Sequence, residues 1–140
     1  QRMMQSNLAL GVQAHYRGPR LFDTHPTRDM VRRNVAWFNE YRDILESDVV
    51  HGHRADGRDL DWMLHVNPRL EEKGMLCVYN PLQEQVTREL TVDLYYTGIT
   101  ESAKISHEGK PPVTYRLDRN DKIVLPVTVP AAGMTWFVIR

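Results

Sequence analysis

Residues 27–50 read TRDMVRRNVAWFNEYRDILESDVV. Met30, Val31, Val35, Trp37, Phe38, Tyr41, Ile44 and Leu45 recur there at three- and four-residue steps. That spacing predicts one long amphipathic helix, with Arg32, Arg33, Asn34, Asn39, Glu40, Arg42 and Asp43 on its polar side. Burying a large apolar side chain stabilises by roughly 1.5–3 kcal/mol, so so wide a stripe must pack on something. Thr24 or Thr27 suits the N-cap, and Asp29 suits the positive end of the helix. The helix is expected to end near residues 47–50.

Upstream, residues 1–14 contain NLALGVQA, an apolar run suited to a buried strand or the end of a helix. Arg17-Gly18-Pro19-Arg20 then reads as a turn. A strand, a turn and an amphipathic helix make one βα unit. Such a unit cannot cover its own strand and needs neighbouring strands.

Downstream, residues 51–59 read HGHRADGRD, a polar turn taken as a domain boundary, which divides the chain into 1–52 and 53–140. Beyond it the apolar period changes from about 3.6 to 2. In LDWMLHV, Leu60, Trp62, Leu64 and Val66 share one face, with Asp61, Met63 and His65 opposite. MLCVYN, residues 75–80, is apolar nearly throughout, as a central strand would be. RELTVDLYYTGI, residues 88–99, alternates with Leu90, Val92, Leu94 and Tyr96 on one side. SAKISH, VTYRL, KIVLPVTV and MTWFVIR complete the series, and Pro126 marks KIVLPVTV as an edge strand. About seven short strands with no helix between them predict a C-terminal antiparallel β-sandwich and a chain that is mainly β.

Composition excludes several functions. The 140 residues carry 18 basic and 18 acidic side chains, interspersed, for a formal net charge of zero. A phosphate-backbone partner calls for a basic surplus, so no nucleic acid is expected. No apolar run approaches ~18 residues, so no membrane-spanning helix is expected. No signal peptide is visible, and the chain begins at Gln1, as a fragment or processed product would. The single cysteine, Cys77, lies in an apolar run and reads as a small buried hydrophobe. Compartment stays open.

Candidate chemistry is sparse. His51 and His53, with Asp56, Asp59 and Asp61 nearby, carry metal-ligand side chains. Their spacing matches no closed zinc pattern and no calcium loop, so a solvated linker is the better reading and no metal is expected. Glu71-Glu72 and Asp59/Asp61 are the carboxylate pairs in reach of acid/base work. Glycoside hydrolysis needs two carboxylates roughly 5–10 Å apart, a separation that spacing does not supply. Trp37, Trp62, Trp136 and Tyr95-Tyr96 can stack on sugar rings, but the alternation around Trp62 and Trp136 favours core packing. His15, Arg17 and Arg20 follow the first apolar run. If that run is a barrel strand, they lie at its C-terminal end, where active-site loops gather. They then serve as substrate-rim residues; equally, the arginines pair with Asp23 or Asp29 and fix the loop.

The order of phrases resembles a known family. It runs through RGPRLFD, VAWFNEYRDIL, SDVVHGHRADGRDLDWMLHVNP, GMLCVYNP and a closing GMTWFVI. Together these resemble the C-terminal end of an α-galactosidase-like glycoside hydrolase, in which a (β/α)8 barrel precedes an antiparallel β-sandwich. WFNEYRDIL resembles the barrel's last helix, and GMLCVYNP a sandwich strand ending at Asn-Pro. The resemblance implies that residues 1–52 are the last βα unit of an incomplete (β/α)8 barrel and residues 53–140 the sandwich. It implies retaining hydrolysis by two carboxylates supplied upstream, with no catalytic residue in this chain and no cofactor. Val35, Phe38, Tyr41 and Leu45 would form the packed helix face. The implied partners are the upstream catalytic barrel of the same polypeptide and a carbohydrate substrate. The RGPR loop and the DGRDLDWMLH stretch depart from α-galactosidases, which leaves the substrate open. Self-association is expected of the fragment, because an unfinished barrel leaves an open strand edge. A stand-alone β-sandwich module binding carbohydrate or protein is the alternative.

Overall fold

The structure is a computed structural model that describes residue 9, residues 25–51 (backbone alone for 25–27 and 51) and residues 59–140. In it the predicted long helix is divided. Helix α1 spans His25–Glu40, and after one turn residue, Tyr41, a short α2 covers Arg42–Leu45. Backbone bonding carries across the break. The Tyr41 N–H donates to the Trp37 carbonyl at 3.2 Å, and the Tyr41 carbonyl accepts from Leu45 at 3.0 Å. Because α1 opens at His25, Thr27 lies within its first turn rather than at the cap; Thr24 lies outside the described residues. Pro26 suits that turn, where a missing N–H leaves nothing unpaired.

The buried helix positions are Asn34, Phe38, Ile44 and Leu45, whereas Val35 is 40% exposed. Helical residues advance by about 100° each, so a stripe centred on Asn34 and Phe38 leaves Val35 on its flank. Asn34 is accommodated because its amide donates to the Met30 sulfur at 3.0 Å, one turn earlier.

Residues 48–51 leave the helix altogether, contrary to the expected helix end. They form β1 (Asp48–His51), which pairs antiparallel with β2 (Asp61–Val66). Val49 and Val50 are β-branched and suit a strand better than a helix terminus. The two compact units therefore divide between Glu46 and Ser47, ahead of the polar turn.

The second unit holds eight strands among the described residues. After β1 and β2 come β3 (Gly74–Tyr79), β4 (Val86–Asp93), β5 (Ser102–His107), β6 (Val113–Arg116), β7 (Lys122–Val129) and β8 (Met134–Ile139). One sheet has the order β1-β2-β3-β8-β5-β6, and the other is the pair β4-β7. All pairings are antiparallel. Leu64, Leu76, Val78, Ile105, Phe137 and Ile139 of the large sheet form one cluster with Val86, Val92, Leu125, Val127 and Val129 of the small one. Two antiparallel sheets packed through alternating side chains are the architecture the period-2 pattern predicted.

Strand β7 alternates buried and exposed along its whole length, and among the described residues β4 is its sole strand partner, the edge position that Pro126 suggested. Strand β3 is central, with Leu76 and Val78 buried on one face and Met75 and Cys77 on the other. The other face of β2 is not a solvent face either: Met63 and His65 are buried, His65 completely. Strand β4 is shorter than predicted. It stops at Asp93, whose Oδ1 accepts the Tyr95 N–H at 3.0 Å and starts a 3₁₀ turn over Tyr95–Thr97. Leu94 stays buried, but Tyr96 swings into solvent.

Candidate functional site

The three rim residues His15, Arg17 and Arg20 lie outside the described residues, as do His53 and Asp56. Of His51 only the backbone is described, in β1. Among the described residues, His, Cys, Asp and Glu form no group placed to hold a metal ion. The carboxylate pairs are committed elsewhere. Asp59 Oδ1 accepts the Leu60 N–H at 2.7 Å and lies 3.5 Å from Arg88 Nε. Glu72 Oε1 accepts from Arg140 at 3.2 Å, while Glu71 is exposed. Asp61 stands opposite Tyr79 in the β2–β3 register. Asp59 and Glu72 thus fasten local backbone and neighbouring segments.

Cys77 is fully buried, and burial pushes its thiol up to about 12. A thiol so poor in thiolate is no nucleophile. Burial, helped by Cys77, also holds the Tyr79 phenol well above its usual range. Trp62 is half-buried against the main core, so it packs rather than offering a sugar platform. Trp136 is half-buried in β8, and the Trp37 ring lies 6.1 Å from Tyr41 within the helical unit.

Two arrangements had no counterpart in the sequence reading. The first joins β5 to β8. His107 Nε2 lies 2.6 Å from Thr135 Oγ1, which donates to Glu108 Oε1 at 3.2 Å. The hydroxyl proton is thereby used, so Nε2 is the donor toward it. The His107 ring stacks on Phe137 at 4.6 Å. Thr135 is buried, so this chain of bonds fastens two strands. Only the β5–β8 register, which sets His107 opposite Phe137, brings it together.

The second is a groove of about 740 Å³ at the end of the β5–β6 pair, lined by residues 100–102, 114 and 116–119. Its walls are joined where the Leu117 N–H donates to the Glu101 carbonyl at 2.9 Å. Asp118 Oδ1 accepts the N–H groups of Asn120 (2.8 Å) and Lys122 (3.0 Å). Those bonds, with Lys122 and Arg119 close by, hold the Asp118 carboxyl below its usual range. The 3₁₀ turn of Tyr95 and Tyr96 runs directly into one wall. At its base the Leu94 N–H donates to the Asp121 carbonyl at 2.8 Å, two residues beyond Arg119 of the other wall.

No protein-family model and no curated protein matches the chain. Solved structures do. A GH27 β-L-arabinopyranosidase from Geobacillus stearothermophilus matches 99% of the chain at a TM-score of 0.63 and 11% identity. A protein assigned as an α-N-acetylgalactosaminidase, from Bacillus halodurans, matches 99% at 0.61 and 13% identity. The fold is that of the C-terminal part of GH27 glycoside hydrolases. A protein assigned as an α-galactosidase/melibiase, from Bacteroides fragilis, matches 99% at 0.61 and 12% identity. The chain spans only 28–29% of the length of these three structures. At such identities the likeness is one of fold, and the three names differ in the sugar acted on.

Proposed function

We propose that this chain is the C-terminal part of a carbohydrate-active glycoside hydrolase. Residues 1–52 supply the last βα unit of a catalytic (β/α)8 barrel, and the β-sandwich supports that barrel. One observation supports this reading: 99% of the chain is matched by only 29% of the length of a GH27 β-L-arabinopyranosidase. The nucleophile and the acid/base carboxylate belong upstream, so the chemistry is retaining hydrolysis performed by residues outside this chain. His15, Arg17 and Arg20 stand at the substrate rim, where the arginines hold a hydroxyl or carboxylate by forked hydrogen bonds.

The test is hydrolysis by the complete polypeptide encoded around this sequence, assayed on nitrophenyl α-galactoside, α-N-acetylgalactosaminide and β-L-arabinopyranoside. Release of nitrophenol by the complete polypeptide, and none by residues 1–140 alone, is the expected result. An upstream frame without strand–helix units would overturn the proposal. In the complete enzyme, Arg17→Ala and Arg20→Ala should raise KM several-fold and leave the melting temperature unchanged; an unchanged KM would remove both residues from the rim. A second reading, a β-sandwich carbohydrate-binding module, draws on the groove and on the exposed tyrosine pair of the turn that precedes Thr100 in the chain.

A further inference from the structure

We infer that the groove at the end of the β5–β6 pair binds a neutral oligosaccharide, with Tyr95 and Tyr96 as its stacking surface. This goes beyond the hydrolase proposal, because it gives the sandwich a ligand of its own. Four observations carry it. The groove's volume of about 740 Å³ falls within the span of small-ligand sites. Its lining is built for hydroxyl recognition. Thr100, Ser102 and Thr114 each both donate and accept, Glu101 and Asp118 accept, and Arg116 and Arg119 donate. A sugar hydroxyl needs both kinds of partner.

Charge selects among ligands. Two carboxylates offset two guanidinium groups, so a phosphorylated or sulfated chain gains no net attraction. Among the described lining residues Leu117 is the only large apolar side chain and is itself buried, so they offer a peptide no pocket for an apolar anchor. Last, adjacent Tyr95 and Tyr96 are 64% and 61% exposed, on the turn that leads into the groove wall. Their rings meet edge-on, with centroids 5.2 Å apart at 85°. One ring face thus stays open to a pyranose while the other ring braces its edge. The turn is held by the Leu94–Asp121 bond and by Thr97 Oγ1, which donates to the Leu94 carbonyl at 2.6 Å. The tyrosines are therefore held in place before any ligand arrives.

The test is native affinity electrophoresis of the 140-residue chain in gels containing soluble starch, guar galactomannan or dextran sulfate. Retardation by at least one neutral polysaccharide, and none by dextran sulfate, is the expected outcome. The double variant Tyr95→Ala/Tyr96→Ala and, separately, Arg119→Ala should each weaken retardation at least about tenfold. These side chains are exposed, and an unchanged melting temperature confirms that folding is not what was lost. No retardation by either neutral polysaccharide, retardation by dextran sulfate alone, or retardation that both variants keep would each overturn the inference. Hydrolysis is read on the complete polypeptide, so failure of the groove and failure of the hydrolase proposal are separate results.

Discussion

Asn80 closes the strand phrase GMLCVYNP, and its surroundings explain why an amide stands there. Its Nδ2 donates to the carbonyls of Glu84 (2.7 Å), Pro130 (3.1 Å) and Val129 (3.2 Å), while Oδ1 accepts the Leu82 N–H at 2.9 Å. Its backbone N–H reaches the Gly133 carbonyl at 2.9 Å. One buried side chain thus clamps the β3–β4 connection to the β7–β8 turn. Asn80→Ala should lower the unfolding free energy by about 1–3 kcal/mol, since it orphans buried carbonyls. Urea melts would check this, and a shift under about 0.5 kcal/mol would show that water replaces the amide. Cys77 supports a prediction about pH. Its folded thiol is raised from 9.0 to about 12, so between those values the unfolded chain loses a proton that the native chain keeps. The raised group's contribution is complete below pH 9.0 and fades as pH rises toward the folded value. Stability should therefore decline on the alkaline side, less steeply in Cys77→Ala, with Tyr79 contributing to the remaining slope. Identical alkaline slopes in the two proteins would refute the assignment.

At the scale of elements, the small sheet has the most to defend. Among the described residues β4 is the sole strand partner of β7, whose other edge is left without a strand over eight residues. Pro126 interrupts that edge, because it has no N–H to offer an incoming strand. Pro126→Val should keep the β4–β7 register and make the protein aggregate at lower concentration, as read by light scattering. Unchanged scattering would mean that the edge is protected by other means. Strand β1 belongs to the same scale. Its four residues follow a helix without a glycine or proline between them, and the partner β2 recruits them to the sheet.

For the whole molecule, the core cluster is informative. All of its buried members fall between Leu60 and Ile139, within the unit Ser47–Arg140. That unit has a hydrophobic core of its own, so residues 47–140 expressed alone should unfold in one cooperative transition. A broad, non-cooperative melt would show that residues 1–46 are needed to complete it. The full 140-residue chain, carrying the last βα unit of a barrel on the proposed reading, should self-associate through its open strand edge. Light scattering would read this as a mass above 16.3 kDa that grows with concentration, whereas a strictly monomeric chain would count against the unfinished barrel.

The sequence by itself determined the sandwich. Alternation at period 2 is a local property, and it identified which side chains of β2, β4 and β7 face the core before any partner was known. Tertiary structure decided what local pattern cannot carry. Residues 48–50 looked helical until β2 paired with them. Alternation put Met63 and His65 opposite the Leu64 face, but only the fold showed that their face is buried too. The His107–Thr135–Glu108 chain and the groove wall join residues far apart in sequence, and nothing in β6 or the turn after it announces which segment will face them. The rim residues were legible only as charges beside a turn, and they fall outside the described residues. Periodicity tells a residue which way to face; only the pairing of distant strands tells it what it will face.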